Sequence, residues 1–433
     1  MSRLDTSKPT GLLAGSGFGR PATDAGWRAP DLRRRLRRTE RFRKLRAAGL
    51  VLPLVTYLLV VFVLPIGGML RLAVQDHEVP GALPRTASVL AAWDPATQPL
   101  PDEDAFAALA HDLREAEAAR TLAAPARRLN LDISGYRTLL MGTARALPET
   151  EPASWREALI AIDPRWEEQA WWAALRRAIG PWTDFYLLAA LDLQRDDSLR
   201  ITAAPDEVAI YREVLGRTFA ISLAVTLLCL ALGYPVAYLL ASLPARTGNL
   251  LMILVLLPFW TSILVRTAAW IVLLQNEGLV NQALVASGLL AGPVQLVFTR
   301  TGVLVAMTHI LLPFMVLPLY SVMRGIDPAH MRAAASLGAP PFTAFRAVYL
   351  PQTLPGIGAG CLLVFIVSIG YYITPALVGG AADQMIASFI AFYTNQTINW
   401  GLAAALGTVL LAAVLLLFAL FTRVAGLGRV RLG

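Results

Sequence analysis

Charged residues are scarce in this chain. They make up 16% of its 433 residues, whereas hydrophobic residues make up 56%. A typical soluble domain has about 25% charged and about 45–50% apolar residues. This composition excludes an intrinsically disordered protein, which would need few apolar residues, and it argues against a soluble enzyme.

Cysteine, lysine and histidine are also rare. The two cysteines, Cys229 and Cys361, lie in long apolar runs, which excludes a disulfide framework and predicts simple apolar packing for both. The two lysines, Lys8 and Lys44, do not stand in a glycine-rich phosphate-binding loop. The four histidines have no metal-ligand spacing. The sequence therefore predicts neither a P-loop ATPase nor a cofactor or metal ion bound by this chain.

Long apolar segments are abundant instead. Six of them are long enough to cross a bilayer, which takes about 20 helical residues. Because backbone groups inside a bilayer must be paired internally, each is predicted to be a helix. The expected fold class is an all-α membrane protein with six transmembrane helices. The segments are 49–72, 215–243, 250–274, 302–323, 354–378 and 402–422.

The charges predict how the helices are oriented. Residues 1–48 hold 13 basic and 4 acidic residues, whereas residues 73–214 hold 14 basic and 23 acidic residues. The positive-inside rule therefore predicts a cytoplasmic N-terminus. Six crossings then place 73–214 outside and the tail 426–433 in the cytoplasm. The pI near 9.8 does not indicate nucleic-acid binding, because no groove-reading motif is present.

Residues 73–214 are predicted to form a folded, mostly helical domain. They contain six of the ten tryptophans, and disordered segments are poor in aromatic residues. Helices are expected over 105–120 and 164–180, and from Pro205 into the second apolar segment. The proline-rich stretch 79–101 is expected to be irregular.

The loop 324–351 has the pattern of a helical hairpin outside the membrane. Asp327 can cap a helix that begins at Pro328, and Gly338 can adopt the left-handed conformation that ends it. Two prolines then begin a second short helix, which is expected to end before Pro351. The alanines of the first helix give a small, smooth surface that suits docking into a partner's cleft. A purely structural hairpin explains the pattern equally well.

Two polar residues stand out within the apolar segments. His309 is a functional candidate because of its position, although a hydrogen bond to a neighbouring helix would also explain it. Arg266 is expected roughly 24 Å above the start of its helix, where its side chain could reach the membrane interface. A secondary transporter would show paired repeats and ionisable groups near the midplane, and neither is evident. A membrane-anchored interaction protein would not need the alanine-rich loop.

The loop 324–351 resembles the EAA motif of permease subunits of ATP-binding-cassette importers. That motif reads Glu-Ala-Ala, three residues, Gly, and later Ile-x-Leu-Pro. Arg332 replaces the usual Glu, and Val348-Tyr349 replaces Ile-x. The residues that match are Ala333, Ala334, Gly338, Leu350 and Pro351. Stretches within 257–281, 312–320 and 370–380 resemble the polyamine-type (spermidine/putrescine) members of the same family.

This resemblance implies an architecture and a set of partners. The first helix and residues 215–425 would form a type I importer core, with 73–214 as a periplasmic insertion. The partners would be a second permease subunit, two ATPase subunits that use ATP and Mg, a periplasmic solute-binding protein and the lipid of the bacterial inner membrane. The expected substrate is a polyamine, and the alternative is another small organic solute such as an amino-acid derivative.

Two groups of site residues follow, and no catalytic residue is among them. A cationic amine could be held by aromatic faces along the path, but the predicted spans contain no Asp or Glu to neutralise it. The predicted ATPase-coupling residues are Asp327, Arg332, Ala333, Ala334, Ala335, Gly338, Leu350 and Pro351. The candidate path residues are Trp260, Thr261, Ser262, His309, Tyr371 and Tyr372.

Overall fold

The computed structural model describes residues 49–95, 97–196 and 200–424. The predicted N-terminal segment 1–48 and tail 426–433 lie outside the described residues. The chain divides into two compact units, Met1–Gly67 and Gly68–Gly433. In the first unit, the described residues form the beginning of one helix, which contains a π-helical turn at Leu59–Val63. The division into an insertion and a permease core, made from the sequence, stays a prediction.

Six helices among the described residues are long and apolar enough to cross a membrane. The predicted all-α class with six transmembrane helices is therefore confirmed. We number these helices in chain order and call them the first to sixth long helices. They are Gly49–Leu72, Tyr211–Ser242, Ile263–Ala286, Arg300–Arg324, Pro341–Ile369 and Trp400–Arg423.

The predicted bounds of the third span were wrong. The range 250–274 is not one helix, because a helix over Ala245–Leu256 passes into a 3-10 turn at Leu257–Trp260, and a new helix begins at Ile263. Pro258, which has no backbone N–H, is the second residue of the 3-10 turn, and Thr261 has extended backbone angles. The third long helix, Ile263–Ala286, is itself interrupted between Leu274 and Leu279.

The fifth span also differs from its prediction at both ends. Its helix begins at Pro341 and runs past Pro351 without stopping, through a π-helical turn at Phe345–Tyr349. The wider turn accommodates the proline, whose ring would otherwise clash with the carbonyl four residues earlier. The helix ends at Ile369, and a separate short helix, Ile373–Val378, follows.

The second, fourth and fifth long helices form the centre of the membrane core. Their contact surfaces carry fully buried apolar residues such as Val225, Met315 and Val364. Small residues allow close packing. A Cβ on Gly360 would lie 2.7 Å from the sulfur of Met315, and a Cβ on Gly233 would lie 3.0 Å from its Cγ. The glycines therefore permit an approach that larger residues would prevent.

Residues 73–210 form eight short α-helices, a 3-10 turn and one pair of strands among those the structure describes. The helices are Glu78–Ala82, Pro84–Leu90, Glu103–Ala118, Ala123–Leu129, Tyr136–Ala146, Trp155–Ile162, Gln169–Ala178 and Phe185–Ala190. Leu193–Arg195 and Ile201–Ala203 pair antiparallel, with Gln194 opposite Thr202. The helix expected over 105–120 is confirmed within two residues.

Three local predictions for this region were wrong. The stretch 79–101 contains two helices rather than an irregular chain, because Pro84 occupies a first-turn position where its missing N–H costs nothing. The helix expected over 164–180 is a 3-10 turn at Pro164–Glu167 followed by an α-helix that begins at Gln169. The second long helix begins at Tyr211, not near Pro205.

A cluster of buried apolar and aromatic side chains holds helices 79–179 together. Trp166 and Trp172 are fully buried, and their ring centroids are 5.1 Å apart. Their N–H groups are satisfied, because the Nε1 atoms donate to Thr143 Oγ1 and to the carbonyl oxygen of Trp166, each at 2.9 Å. Tyr136 donates to the carbonyl oxygen of Trp171 at 2.9 Å. Paired polar groups make these large aromatic residues suitable for a core.

The segment that follows this cluster packs against the sixth long helix. Tyr186 and Ala190 share a buried cluster with Leu402, Ala405 and Leu406. Gly401 brings the two segments into contact, since a Cβ at that position would overlap the Tyr186 ring. Part of the region between the first and second long helices is thus built into the packing of the membrane helices.

Candidate functional site

The loop after the fourth long helix folds as the sequence predicts at its first helix. We call residues 324–351 the coupling hairpin. Asp327 Oδ1 accepts a hydrogen bond of 2.8 Å from the backbone N–H of Ala329 and caps the helix Pro328–Ser336. Gly338 follows this helix with a φ of +81°. This left-handed conformation, which favours glycine, turns the chain towards Pro341.

The outer part of the coupling hairpin presents large apolar side chains to its surroundings. Leu337 is 89% exposed and Phe342 is 75% exposed. Most of the predicted coupling residues around them are exposed as well, and Ala334 is buried against the hairpin itself. Leu337 and Phe342 were not among the residues predicted from the sequence. The sequence did contain a signal for them, namely two large apolar residues in a short loop beside Gly338 and the prolines.

Aromatic residues fix the base of the coupling hairpin. Phe345 and Tyr349 stack with ring centroids 5.8 Å apart, and Tyr238 of the second long helix meets Tyr349 edge-on at 5.3 Å. Arg324 Nη1 donates to the carbonyl oxygen of Ala241 at 3.0 Å. Leu350 and Pro351 follow Tyr349 in the fifth long helix. The base of the hairpin therefore packs against the second long helix and forms part of the fifth.

The first three candidate path residues lie at the break before the third long helix. Trp260 ends the 3-10 turn and is 76% exposed. Thr261 donates from its hydroxyl to the carbonyl oxygen of Pro258 at 2.9 Å. Ser262 stands at the cap of the next helix without a side-chain cap bond. All three side chains are exposed in this single chain, so they are available to a solute or to a partner.

His309 is half-buried and joins two helices. Its Nδ1 accepts a hydrogen bond of 3.1 Å from Trp270 Nε1, and the two rings meet edge-on at 5.3 Å. A neutral imidazole that accepts at Nδ1 carries its proton on Nε2. The hydroxyl of Thr267, one turn before Trp270, lies 3.2 Å from the hydroxyl of Thr374 in the short helix Ile373–Val378. The third and fourth long helices and the short helix after the fifth thus meet around polar side chains.

Arg266 lies beside this junction. Its guanidinium interacts electrostatically with His309 and Tyr371, and its buried Nε has no hydrogen-bond partner among the described residues. Arg266 stands in the first turn of a helix that begins at Ile263. The height of roughly 24 Å expected for a continuous helix therefore does not apply. The structure brings a fixed positive charge to two of the candidate path residues.

Tyr372, the residue after Tyr371, lines a cavity of about 470 Å³. Amide and aromatic side chains form most of the remaining wall, including Gln384, Phe392 and Asn395. The candidate path residues thus fall into three places: the exposed break at Trp260, the junction around Arg266, and this cavity. Within the described ranges, no three His, Cys, Asp or Glu side chains lie together as a metal site.

Comparison with known proteins identifies the family. A family described as "Binding-protein-dependent transport system inner membrane component" matches residues 233–426. The spermidine/putrescine transport system permease protein PotB of Escherichia coli strain K12 is 37% identical over 212 residues, which cover 48% of this chain and 77% of that protein. The inner membrane ABC transporter permease protein YdcU of the same organism is 31% identical over 220 residues, 48% of this chain and 70% of that protein.

A solved structure matches less closely. It is a bacterial alginate ABC transporter in complex with an alginate pentasaccharide-bound periplasmic protein, 17% identical, covering 49% of this chain and 77% of that one, with a TM-score of 0.42.

The sequence match and the six long helices agree on what kind of protein this is. It is a multi-pass protein of the inner membrane, and it is not an enzyme, because ATP hydrolysis in such importers is carried out by separate ATPase subunits. It works in a complex with another permease, an ATPase and a binding protein. This chain therefore belongs to the binding-protein-dependent transport system inner membrane components, the permease subunits of ATP-binding-cassette importers.

Proposed function

We propose that this permease forms, with a second permease subunit, the translocation path for a polyamine. The observation that carries this proposal is the 37% identity to a spermidine/putrescine permease over most of that protein's length. Another small organic solute, such as an amino-acid derivative, is the alternative, because the described path region contains Arg266 and few acidic side chains.

We further propose that both termini and the coupling hairpin are cytoplasmic and that residues 73–210 are periplasmic. The arginines support this orientation: Arg246, Arg324 and Arg423 lie in or beside the connections that it assigns to the cytoplasm. The residues proposed to lie outside carry the excess of acidic side chains. Membrane lipid would surround the long helices, and no nucleic-acid partner is expected.

The coupling hairpin is proposed as the docking element for the ATPase subunits, two per importer. The alanine surface of helix Pro328–Ser336 can approach a cleft closely, and Leu337 and Phe342 can insert large apolar groups into it. Such anchors dominate the binding energy of many interfaces. ATP and Mg would be bound by those partner subunits and not by this chain.

A cationic substrate would meet an uneven charge distribution along the proposed path. Arg266 repels an amine near His309 and Tyr371, whereas the exposed Glu277 lies in the interruption of the third long helix. The aromatic faces of Trp260 and Tyr372 can each attract a cation by about 0.5–2 kcal/mol. The partner permease or the binding protein would supply the remaining counter-charge.

Residues 73–210 are proposed to contact the solute-binding protein or the partner permease. Exposed apolar side chains support this role, and they include Trp182 at 63% and Val208 at 58% exposure. A passive insertion is the alternative, since long surface insertions cost little free energy.

Uptake by the reconstituted importer tests the substrate. Proteoliposomes that contain both permeases, the ATPase and the cognate binding protein should accumulate labelled putrescine or spermidine in an ATP-dependent, saturable way. Trp260→Ala should reduce this uptake, whereas Trp400→Ala, a change at another partly exposed tryptophan outside the proposed path, should not. If neither amine is taken up or competes with the true solute, the polyamine assignment is wrong, although the family assignment stands.

A further inference from the structure

A cavity of about 760 Å³ lies in the region between the first and second long helices, far along the chain from the transport residues. One side is formed by the end of helix Ala123–Leu129 and the turn after it. The other side is formed by residues 182–196. Small-molecule sites in proteins commonly measure about 300–1,000 Å³. The cavity is therefore large enough for a solute of amino-acid size.

The cavity wall carries equal numbers of opposite charges. Arg195 Nη2 lies 2.5 Å from Asp184 Oδ2, and Arg128 Nε lies 2.6 Å from Oδ2 of the buried Asp76 behind the wall. Because these six charges sum to zero, the wall as a whole favours neither a polycation nor a polyanion. A neutral molecule with separated charges fits this wall best. The charged residues of the wall are Arg128, Arg177, Arg195, Asp132, Asp184 and Asp196.

Asp132 and Arg177 retain hydrogen-bonding capacity. Arg177 Nη2 lies 3.9 Å from Asp132 Oδ1, and Arg128 Nη1 lies 3.7 Å from Oδ2. Both distances are too long for hydrogen bonds. The Arg128 side chain is 99% buried, and its Nη1 has no hydrogen-bond partner among the described residues. Burial raises the pKa of Asp132, although both arginines oppose this effect. Asp132 and Arg177 therefore form an ion pair without a direct hydrogen bond between them, so each can still bind a ligand group.

Apolar and aromatic side chains form the remainder of the wall. Trp182 is 63% exposed beside the charged groups. The Arg128 guanidinium packs on the Phe185 ring, 3.7 Å from its centroid. Leu131 and Leu188 complete an apolar surface next to Asp132 and Arg177. A ligand with a charged head and an apolar group can satisfy both surfaces at once.

We propose that this cavity binds an apolar α-amino acid. Asp132 accepts hydrogen bonds from the ligand's ammonium group, and Arg177 donates to its carboxylate. The adjacent ammonium and carboxylate of an α-amino acid match an acceptor and donors that lie side by side. The ligand's side chain packs against Trp182 and Leu188. This site is separate from the translocation path and does not depend on which solute is transported.

Calorimetry with the full-length chain in lipid nanodiscs, without the solute-binding protein, tests the proposal. The probes are L-leucine, L-methionine and L-phenylalanine, together with two analogues of leucine: 3-methylbutylamine, which lacks the carboxylate, and 4-methylpentanoate, which lacks the ammonium. At least one amino acid should bind. Each analogue of leucine should bind roughly tenfold more weakly or worse than leucine, since it forfeits a charge-assisted hydrogen-bonding group.

Variants separate this site from general effects on the protein. Arg177→Gln and Trp182→Ala should each weaken amino-acid binding by roughly tenfold. Trp182 is mostly exposed, so its variant should fold even if Arg177→Gln does not. Arg145→Gln, an exposed change on helix Tyr136–Ala146 away from the cavity, should bind normally. The proposal is wrong if none of the three amino acids binds, if Trp182→Ala binds as well as the unmodified chain, or if putrescine binds more tightly than L-leucine.

Discussion

Replacement of Gly338 by valine should uncouple the permease from ATP hydrolysis without unfolding its membrane helices. The backbone at Gly338 has a φ of +81°, and no atom lies within 4 Å of where a Cβ would be. The penalty is therefore conformational and not a clash. It amounts to about 1–3 kcal/mol for an ordinary residue in this region, and more for a β-branched one.

The hairpin can relieve this strain only by turning differently, which would move Leu337 and Phe342. Full burial of one such side chain in a partner is worth about 1.5–3 kcal/mol. Because about 1.4 kcal/mol corresponds to a tenfold change in affinity, loss of one anchor should weaken ATPase binding about ten- to hundredfold.

Substrate-stimulated ATP hydrolysis by the reconstituted complex measures this effect. Gly288 provides a matched control, because it has a φ of +75°, equally free surroundings and a position outside the coupling hairpin. Gly288→Val should impose similar strain but leave the stimulation intact. Gly338→Asn should retain most of the stimulation, because asparagine tolerates the left-handed conformation. Normal stimulation in Gly338→Val would refute the reasoning.

Two further predictions concern stability. Gly360→Ala should lower the free energy of unfolding by about 1–3 kcal/mol, because its Cβ would overlap the Met315 sulfur. Thermal unfolding in detergent should show that stability is partly recovered when Met315→Ala is added. The control Gly407→Ala, with nothing near its Cβ, should change stability little. Asp76→Ala should lower the free energy of unfolding by about 3–5 kcal/mol, because it removes the carboxylate that is hydrogen-bonded to the buried Arg128 and leaves only Asp132, 3.7 Å away. An equally stable Asp76→Ala protein would contradict that view of the buried pair, whereas Asp76→Leu combined with Arg128→Met should recover most of the loss.

The sequence predicts those features that depend on local chemistry. The long apolar helices follow from length and composition, and the cap at Asp327 and the left-handed Gly338 follow from the preferences of single residues. The break at Thr261 was missed because apolar composition continues on both sides of it. The continuation of the fifth long helix past Pro351 was missed because a π-helical turn accommodates a proline that an α-helix would not.

The site residues, too, could be predicted from the sequence only in part. Leu337 and Phe342 are ordinary apolar residues in the sequence, and only the three-dimensional structure shows that they project from the hairpin. The cavity could not be predicted either. Arg128, Arg177 and Arg195 are widely separated along the chain and meet only after the helices between them have packed.

The contact between Tyr186 and Gly401 has a consequence for how this protein can be shortened or recombined. If a linker replaced all residues 73–210, the loss of Tyr186 and Ala190 would expose Leu402, Ala405 and Leu406 at the start of the sixth long helix. The shorter replacement 79–179 would retain Tyr186 and Ala190, together with the backbone bond of 2.8 Å from the N–H of Thr183 to the carbonyl oxygen of Val74. The same contact limits which substitutions the chain can accept. The helices of 79–179 are not part of this contact, whereas a change in the segment around Tyr186 must fit the membrane helix that it covers.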